Sequence, residues 1–134
     1  MTEPAALAGG CLCGACRYRS DAAPLNVRAC HCRRCQKATG APLYARVAVP
    51  IDSVEMTGPV RWFDAGTGVR RGFCPECGST LFSERAAANM IGLTMGTLDM
   101  PDLFAPEQQI WVSKKQAWLP IDPALPTFAE NPPA

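Results

Sequence analysis

The sequence of 134 residues contains one histidine, no long hydrophobic run and almost no net charge. Without a stretch of about 20 apolar residues, it has no candidate for a membrane-spanning helix. Lys and Arg number 13 and Asp and Glu number 12, which gives a formal net charge of +1. Nucleic acids and anionic membranes attract strongly basic surfaces, so we expect neither of them to be a partner.

The first ten residues lack the features of a secretory signal. They contain no basic segment, and Pro4 and Gly9 interrupt the few apolar residues that are there. The sequence therefore predicts a cytoplasmic protein, in a compartment where thiols stay reduced. The eight cysteines then call for a metal-binding or redox explanation rather than for disulfides.

Short apolar segments bounded by turn residues predict a mainly β fold with few helices. A hairpin is expected over residues 60–73 around a glycine-bearing loop, and one short helix is expected after Cys32, ending near Gly40. Further strands are predicted at 15–19, 43–49, 79–83 and 89–95 and from residue 110. We also expect Trp111 and Trp118 to pack in the core.

The length and an apolar content of 48% fit one domain with a core of its own. We place this domain at residues 9–128, between an N-terminal tail at 1–8 and a C-terminal tail at 129–134.

Two of the three cysteine clusters have the spacing of half-sites for one metal ion. Cys74 and Cys77, followed by Gly78, have the form of a zinc knuckle, whereas a redox Cys-x-x-Cys pair needs a βαβ context that is missing here. Cys11 and Cys13 can point the same way, and a disulfide between them would be strained. The two pairs together predict a closed, all-thiolate zinc site with a structural role.

The remaining cluster, Cys30, Cys32 and Cys35, predicts a different kind of zinc site. Three thiolates leave a fourth coordination position, and an open position is typical of catalytic or ligand-binding sites. Because three thiolates make the zinc a poor Lewis acid towards water, such a site is better suited to an exogenous thiolate. The alternative is that Cys16 or His31 fills the position and makes this site structural as well.

Charged and polar side chains lie near these clusters in the sequence. Arg33, Arg34 and Lys37 follow Cys32 and would attract an anionic ligand. Arg70 and Arg71 precede the Cys74 knuckle, and we expect them on the solvated face of a hairpin strand. A lone histidine or cysteine is more often a packing residue than a ligand, which is the simpler interpretation of His31 and Cys16.

The cysteine clusters and their surroundings resemble the glutathione-dependent formaldehyde-activating family, whose domain also occurs in centromere protein V. The resemblance is carried by GGCLCGACRYRS at 9–20, CHCRRCQKATGAP at 30–42, RGFCPECGSTLF at 71–82 and IWVSKKQAWLPI at 110–121. Departures from the family are Gln109, where a histidine is expected, and Cys16, where valine is frequent.

The resemblance implies a β-tent fold with two zinc ions per chain. By position, Cys11, Cys13, Cys74 and Cys77 correspond to the structural site, and Cys30, Cys32 and Cys35 to the reactive one. The implied activity is that of a carbon–sulfur lyase that forms S-(hydroxymethyl)glutathione from glutathione and formaldehyde. Arg33, Arg34 and Lys37 would then hold the carboxylates of glutathione. The alternatives are a related thiol–aldehyde reaction, a thiol-binding carrier, or a non-catalytic zinc module.

Overall fold

The computed structural model describes residues 7–133, which form ten β-strands and one α-helix. The strands are β1 Leu7–Gly10, β2 Arg17–Ser20, β3 Asn26–Cys30, β4 Tyr44–Val49, β5 Val54–Thr57, β6 Arg61–Asp64, β7 Arg70–Phe73, β8 Thr80–Arg85, β9 Met90–Thr94 and β10 Gln108–Ile110. The helix, α1, spans Arg33–Thr39. The predicted mainly β architecture is confirmed.

The strands are arranged in two sheets. A small sheet has the order β1-β2-β5, and a large one has the order β10-β3-β4-β9-β8-β7-β6. Every pairing is antiparallel except that of β10 with β3. Within residues 7–133, no helix is long and apolar enough to cross a membrane.

One face of the large sheet forms the core with the small sheet. Alternation along β4 and β9 turns Val47, Val49 and Leu93 towards this face, where they are fully buried. Tyr18 of the small sheet meets Phe82 of β8 edge to face, with ring centroids 5.2 Å apart. The opposite face of the same strands is free to line a cavity.

The C-terminal part of the chain extends the edge of the large sheet beyond β10. The N–H of Gln109 donates to the carbonyl of Pro126 at 3.0 Å, and the N–H of Phe128 donates to the carbonyl of Gln109 at 2.9 Å. Gln109 and Thr127 form an isolated parallel bridge. This edge of the sheet is therefore paired with another part of the same chain.

The predicted hairpin and helix are observed, and the helix ends at Gly40 in the left-handed conformation, with φ at 68°. Strands β1, β3 and β5 were not predicted. β1 contains two glycines, which disfavour strands in general, but a Cβ on Gly9 would lie 2.3 Å from the Thr97 carbonyl oxygen and 2.5 Å from the Tyr18 hydroxyl oxygen. The close approach of these two groups therefore requires glycine there.

The two tryptophans differ in their surroundings. Trp111 packs against the buried cluster that contains Cys30 and Cys35. Trp118 has 67% of its surface exposed, so the expectation that it packs in the core is wrong. Its indole N–H donates to the side-chain carbonyl of Gln116 at 2.6 Å, a local bond that needs no burial.

Phe82 joins the two sheets, since its ring contacts Tyr18 and stacks on Trp62 at 5.7 Å. We expect Phe82→Ala to lower the free energy of unfolding by about 3–5 kcal/mol, because it removes a buried ring and leaves a cavity. The matched control is Phe63→Ala, which removes the same ring from a site that is 60% exposed and costs less than about 1 kcal/mol. Urea unfolding of the metal-loaded proteins measures both values, and equal losses would contradict the assigned role of Phe82.

Candidate metal centres and the adjoining cavity

Four cysteines from two distant segments meet at the end of the core. The Sγ atoms of Cys11 and Cys13 lie 3.6 Å apart, and those of Cys13 and Cys74 lie 3.8 Å apart. Together with Cys77 they form a group whose sulfur atoms all lie within 4.8 Å of one another. Four soft sulfur donors at this spacing could hold one metal ion.

Hydrogen-bond donors surround the four sulfur atoms. The N–H of Cys16 donates to Cys11 Sγ at 3.2 Å and lowers the pKa of the Cys11 thiol. The Ser79 hydroxyl lies 3.2 Å from Cys77 Sγ and lowers the pKa of that thiol to about 5. These two bonds thus favour the thiolate, the form of cysteine that binds metal, at Cys11 and Cys77. At Cys13 the Ala15 N–H lowers the pKa, but the Cys11 thiol and burial outweigh it and raise the pKa to about 12.

The second group comprises Cys30, Cys32 and Cys35, whose sulfur atoms also lie within 4.8 Å of one another. Cys30 ends β3, Cys32 is the N-cap of α1, and Cys35 lies in the first turn of that helix. The side chain of Cys32 accepts a hydrogen bond from the N–H of Cys35 at 3.3 Å. The strand-to-helix transition therefore brings the three thiols together, and they could hold a second metal ion.

The charges of these three thiols are linked. Contacts with the Cys30 and Cys35 thiols hold the pKa of Cys32 far below its usual range. Contacts with Cys32 and Cys35, together with burial, raise the pKa of Cys30. Without a cation, then, one thiolate forms at the expense of its neighbours, and ionisation of all three requires a positive charge among them.

Neither Cys16 nor His31 belongs to either group of sulfur atoms. His31 is fully buried, and its Nε2 lies 2.7 Å from Oε1 of Gln109 on β10. Its carbonyl accepts a hydrogen bond from Nε2 of Gln36 at 2.6 Å. His31 thus fixes the segment between Cys30 and Cys32 rather than facing their sulfur atoms. Gln109, noted above as a departure from the family, provides its side-chain partner.

A cavity of about 650 Å³ opens beside the three-cysteine group. Its apolar wall is formed by residues from the hairpin loop, β9 and the segment around β10. They include Phe63, Val69, Met90, Ile110 and Trp111. A cavity of this size accommodates a small-molecule ligand, and its wall brings that ligand next to the sulfur atoms.

The structure places the three predicted anion-binding residues differently. Arg34 and Lys37 are exposed and line the cavity from the helix side. Arg33 is also exposed but is not among the lining residues, and its guanidinium donates to Oε1 of Gln36.

The expectation for Arg71 as a solvated residue of the hairpin is wrong. Its Nη2 donates to Cys35 Sγ at 3.5 Å, and its guanidinium carbon lies 5.9 Å from the centre of the Tyr44 ring. Arg70, its neighbour, points to the other face, where it pairs with Glu84 and lies over Trp62 at 4.5 Å. The sequence could not predict that Arg71 faces the cavity, because this depends on the strand order, in which β7 lies two strands from β9.

The sequence matches the family described as glutathione-dependent formaldehyde-activating enzyme over residues 6–114. Among solved structures, it is similar to the crystal structure of a Rhodobacter sphaeroides protein that was a structural-genomics target. The two share 20% identity and a TM-score of 0.57, over 69% of this chain and 88% of the other, so this likeness concerns the fold alone. No curated protein matches the sequence.

The four-cysteine group joins segments that are 61 residues apart, so a metal ion there contributes directly to folding. We expect Cys77→Ser to lose one equivalent of zinc and to unfold or aggregate when the protein is expressed with zinc. The matched control, Cys16→Ala, removes a cysteine outside both groups and should keep two equivalents. Elemental analysis and circular dichroism provide the readouts. A soluble, fully folded Cys77→Ser protein would refute the structural role of this group.

Proposed function

The chain belongs to the glutathione-dependent formaldehyde-activating family, and from that premise we propose that it promotes the addition of glutathione to formaldehyde. The proposal is supported above all by the three thiols on the wall of the cavity, Cys30, Cys32 and Cys35. A three-cysteine group with room for a ligand differs from the four-cysteine group, which has a full tetrahedral set of its own. The division into a reactive and a structural site follows from this difference.

Zinc suits both groups, because its preferred ligands include thiolates in tetrahedral sets. The closed site would be formed by Cys11, Cys13, Cys74 and Cys77, and the open one by Cys30, Cys32 and Cys35. Bound to three thiolates, zinc would keep a fourth coordination position in which an incoming thiol could bind as a thiolate.

The walls of the cavity bind and orient the thiol. Arg34 and Lys37 are exposed at the helix side and give glutathione carboxylates two cationic partners. Ile110 and Trp111, which pack with the three-cysteine group and also line the cavity, offer apolar surface and limit the access of water. A role for Arg33 in binding the same carboxylates remains part of the proposal, although its present partner is Gln36.

The reaction itself is an addition. A lone pair of the thiolate sulfur forms a bond to the carbonyl carbon of formaldehyde, and the π electrons of the carbonyl move to its oxygen. That oxygen takes a proton from water, and the proton of the original thiol is released to solvent, so the net product is the S-hydroxymethyl adduct. Fixed placement of the sulfur beside the aldehyde lowers the entropic part of the barrier. A related small aldehyde would react in the same way.

A carrier of glutathione would use the same cavity without accelerating the addition. The two functions are separated by the rate at which the adduct forms, measured with ¹³C-formaldehyde by NMR at constant glutathione. We expect the zinc-loaded protein to raise this rate above that of the buffer. If the rate is unchanged while glutathione binds, the protein is a carrier and the synthase proposal fails.

Cys32→Ser tests the open site. We expect this variant to stay folded with one equivalent of zinc, to lose glutathione binding in calorimetry, and to form adduct at the rate of the buffer. The reason is that two thiolates and a hydroxyl bind zinc far more weakly than three thiolates. Cys16→Ala, outside the cavity, is the control that should keep both activities. Glutathione binding equal to that of the unmodified protein would argue against the assigned site.

A further inference from the structure

Three arginines that line the cavity have no role in the function proposed above, and two of them, Arg46 and Arg71, are at least partly buried, whereas Arg85 is exposed. Arg46 of β4 and Arg71 of β7 both line the cavity, on the face of the large sheet opposite the core. The strands between them present Gly92 and Ser83, which are paired in register, and Ser83 is paired with Arg71. Both arginine side chains therefore belong to the same face of the sheet and line one cavity.

Arg46 is an unusually buried cation, with 9% of its surface exposed. Its side chain crosses Gly92, where a Cβ would lie 2.5 Å from Arg46 Cδ. Its Nη1 donates to Oδ1 of Asn26 at 2.7 Å, a neutral partner. Burial lowers the pKa of Arg46, because a charge that is removed from water without a counter-charge is unfavourable.

Arg71 has one nitrogen engaged and one without a partner. Nη2 faces Cys35 Sγ, whereas Nη1 is buried and has no hydrogen-bond partner within the described range 7–133. A buried donor without an acceptor is costly and uncommon in folded proteins. Nη2 can compensate the charge of the Cys35 thiolate, but this role does not account for the burial of Nη1 without an acceptor.

Among residues 7–133, no carboxylate pairs with either arginine. Three ion pairs occur among residues 7–133, and neither Arg46 nor Arg71 takes part in them. Glu84, the acidic residue among those lining the cavity, is already bound by Arg70 at 2.8 Å. The two arginines can therefore pair with an anionic group of a bound ligand.

We propose that Arg46 and Arg71 form an anion subsite within the cavity that binds a carboxylate of the thiol substrate. This inference rests on the proposed function, and it narrows the substrate to thiols that carry a carboxylate, as opposed to neutral or cationic thiols. Arg71 contacts Cys35 directly, so the carboxylate lies close to the reacting sulfur. Arg34 and Lys37 remain available at the helix side for a second acidic group.

A pair of nearly isosteric thiols tests the subsite by calorimetry on the zinc-loaded protein. We expect 3-mercaptopropionate to bind at least about tenfold more tightly than 3-mercaptopropionamide, because charge-assisted hydrogen bonds are about twice as strong as neutral ones. In Arg71→Gln and Arg46→Gln this preference should fall below about threefold, because binding of the acid is weakened much more than binding of the amide. Arg61→Gln, on the exposed edge strand β6 and outside the cavity, is the control that keeps the preference.

Several results would overturn the subsite. One is the absence of any preference in the unmodified protein, and another is a preference that survives in Arg71→Gln. A third is an equal loss of affinity for the acid and for the amide in Arg71→Gln, which would show that this arginine only compensates the charge of the cysteine thiolates. Zinc content and circular dichroism exclude misfolded variants, and Arg71→Lys, which retains the charge, should recover part of the preference.

S-methylglutathione separates this proposal from the proposed function. Its sulfur cannot form a thiolate, but its carboxylates are intact. Binding that is weakened at least about tenfold in Arg71→Gln supports the subsite even if neither free thiol interacts with the metal. If the free thiols bind but S-methylglutathione binds equally to the unmodified protein and to Arg71→Gln, the subsite fails while the thiol site stands.

Discussion

Sulfur atoms that carry like charges repel one another, and the rest of this structure depends on how that repulsion is relieved. Seven of the eight cysteines converge in two groups in which all sulfur atoms lie within 4.8 Å of one another. Since metal binding requires the deprotonated thiol, each group is stable as thiolates only around a cation. The N–H of Cys16 and the hydroxyl of Ser79 relieve part of the repulsion in the first group, and Arg71 relieves part of it in the second.

The large sheet relates these groups to the cavity through its two faces. Val47 and Leu93 face the core, while Tyr44, Arg46 and Gly92 on the same strands face the cavity. The pairing of Cys30 with Tyr44 continues the cavity face to β3, where the three-cysteine group begins. A single pleated sheet thus packs against the hydrophobic core on one side and lines the cavity beside the three-cysteine group on the other.

Much of this arrangement could be predicted from the sequence, because metal ligands are local patterns. The spacing of Cys30, Cys32 and Cys35 fixes their geometry within one strand-to-helix turn, and the cap at Gly40 ends the helix. The role of Arg71 could not be predicted in this way, because its contacts with Cys35 and Tyr44 depend on strand order across 36 and 27 residues of sequence. Strand propensity also fails to predict β1, because Gly9 is required there by the close approach of Thr97 and Tyr18.

The pairing of the C-terminal segment with β10 has a consequence for the behaviour of the protein in concentrated solution. An edge strand with free N–H and C=O groups is a template for strands of other chains, and this is a route to aggregation. Here the backbone of Gln109 is bonded on its outer side to Pro126 and Phe128 of its own chain. At the other edge, β6 is four residues long and carries Arg61 and Asp64 at its ends. Both edges therefore resist intermolecular growth, one by being covered and the other by being short and charged.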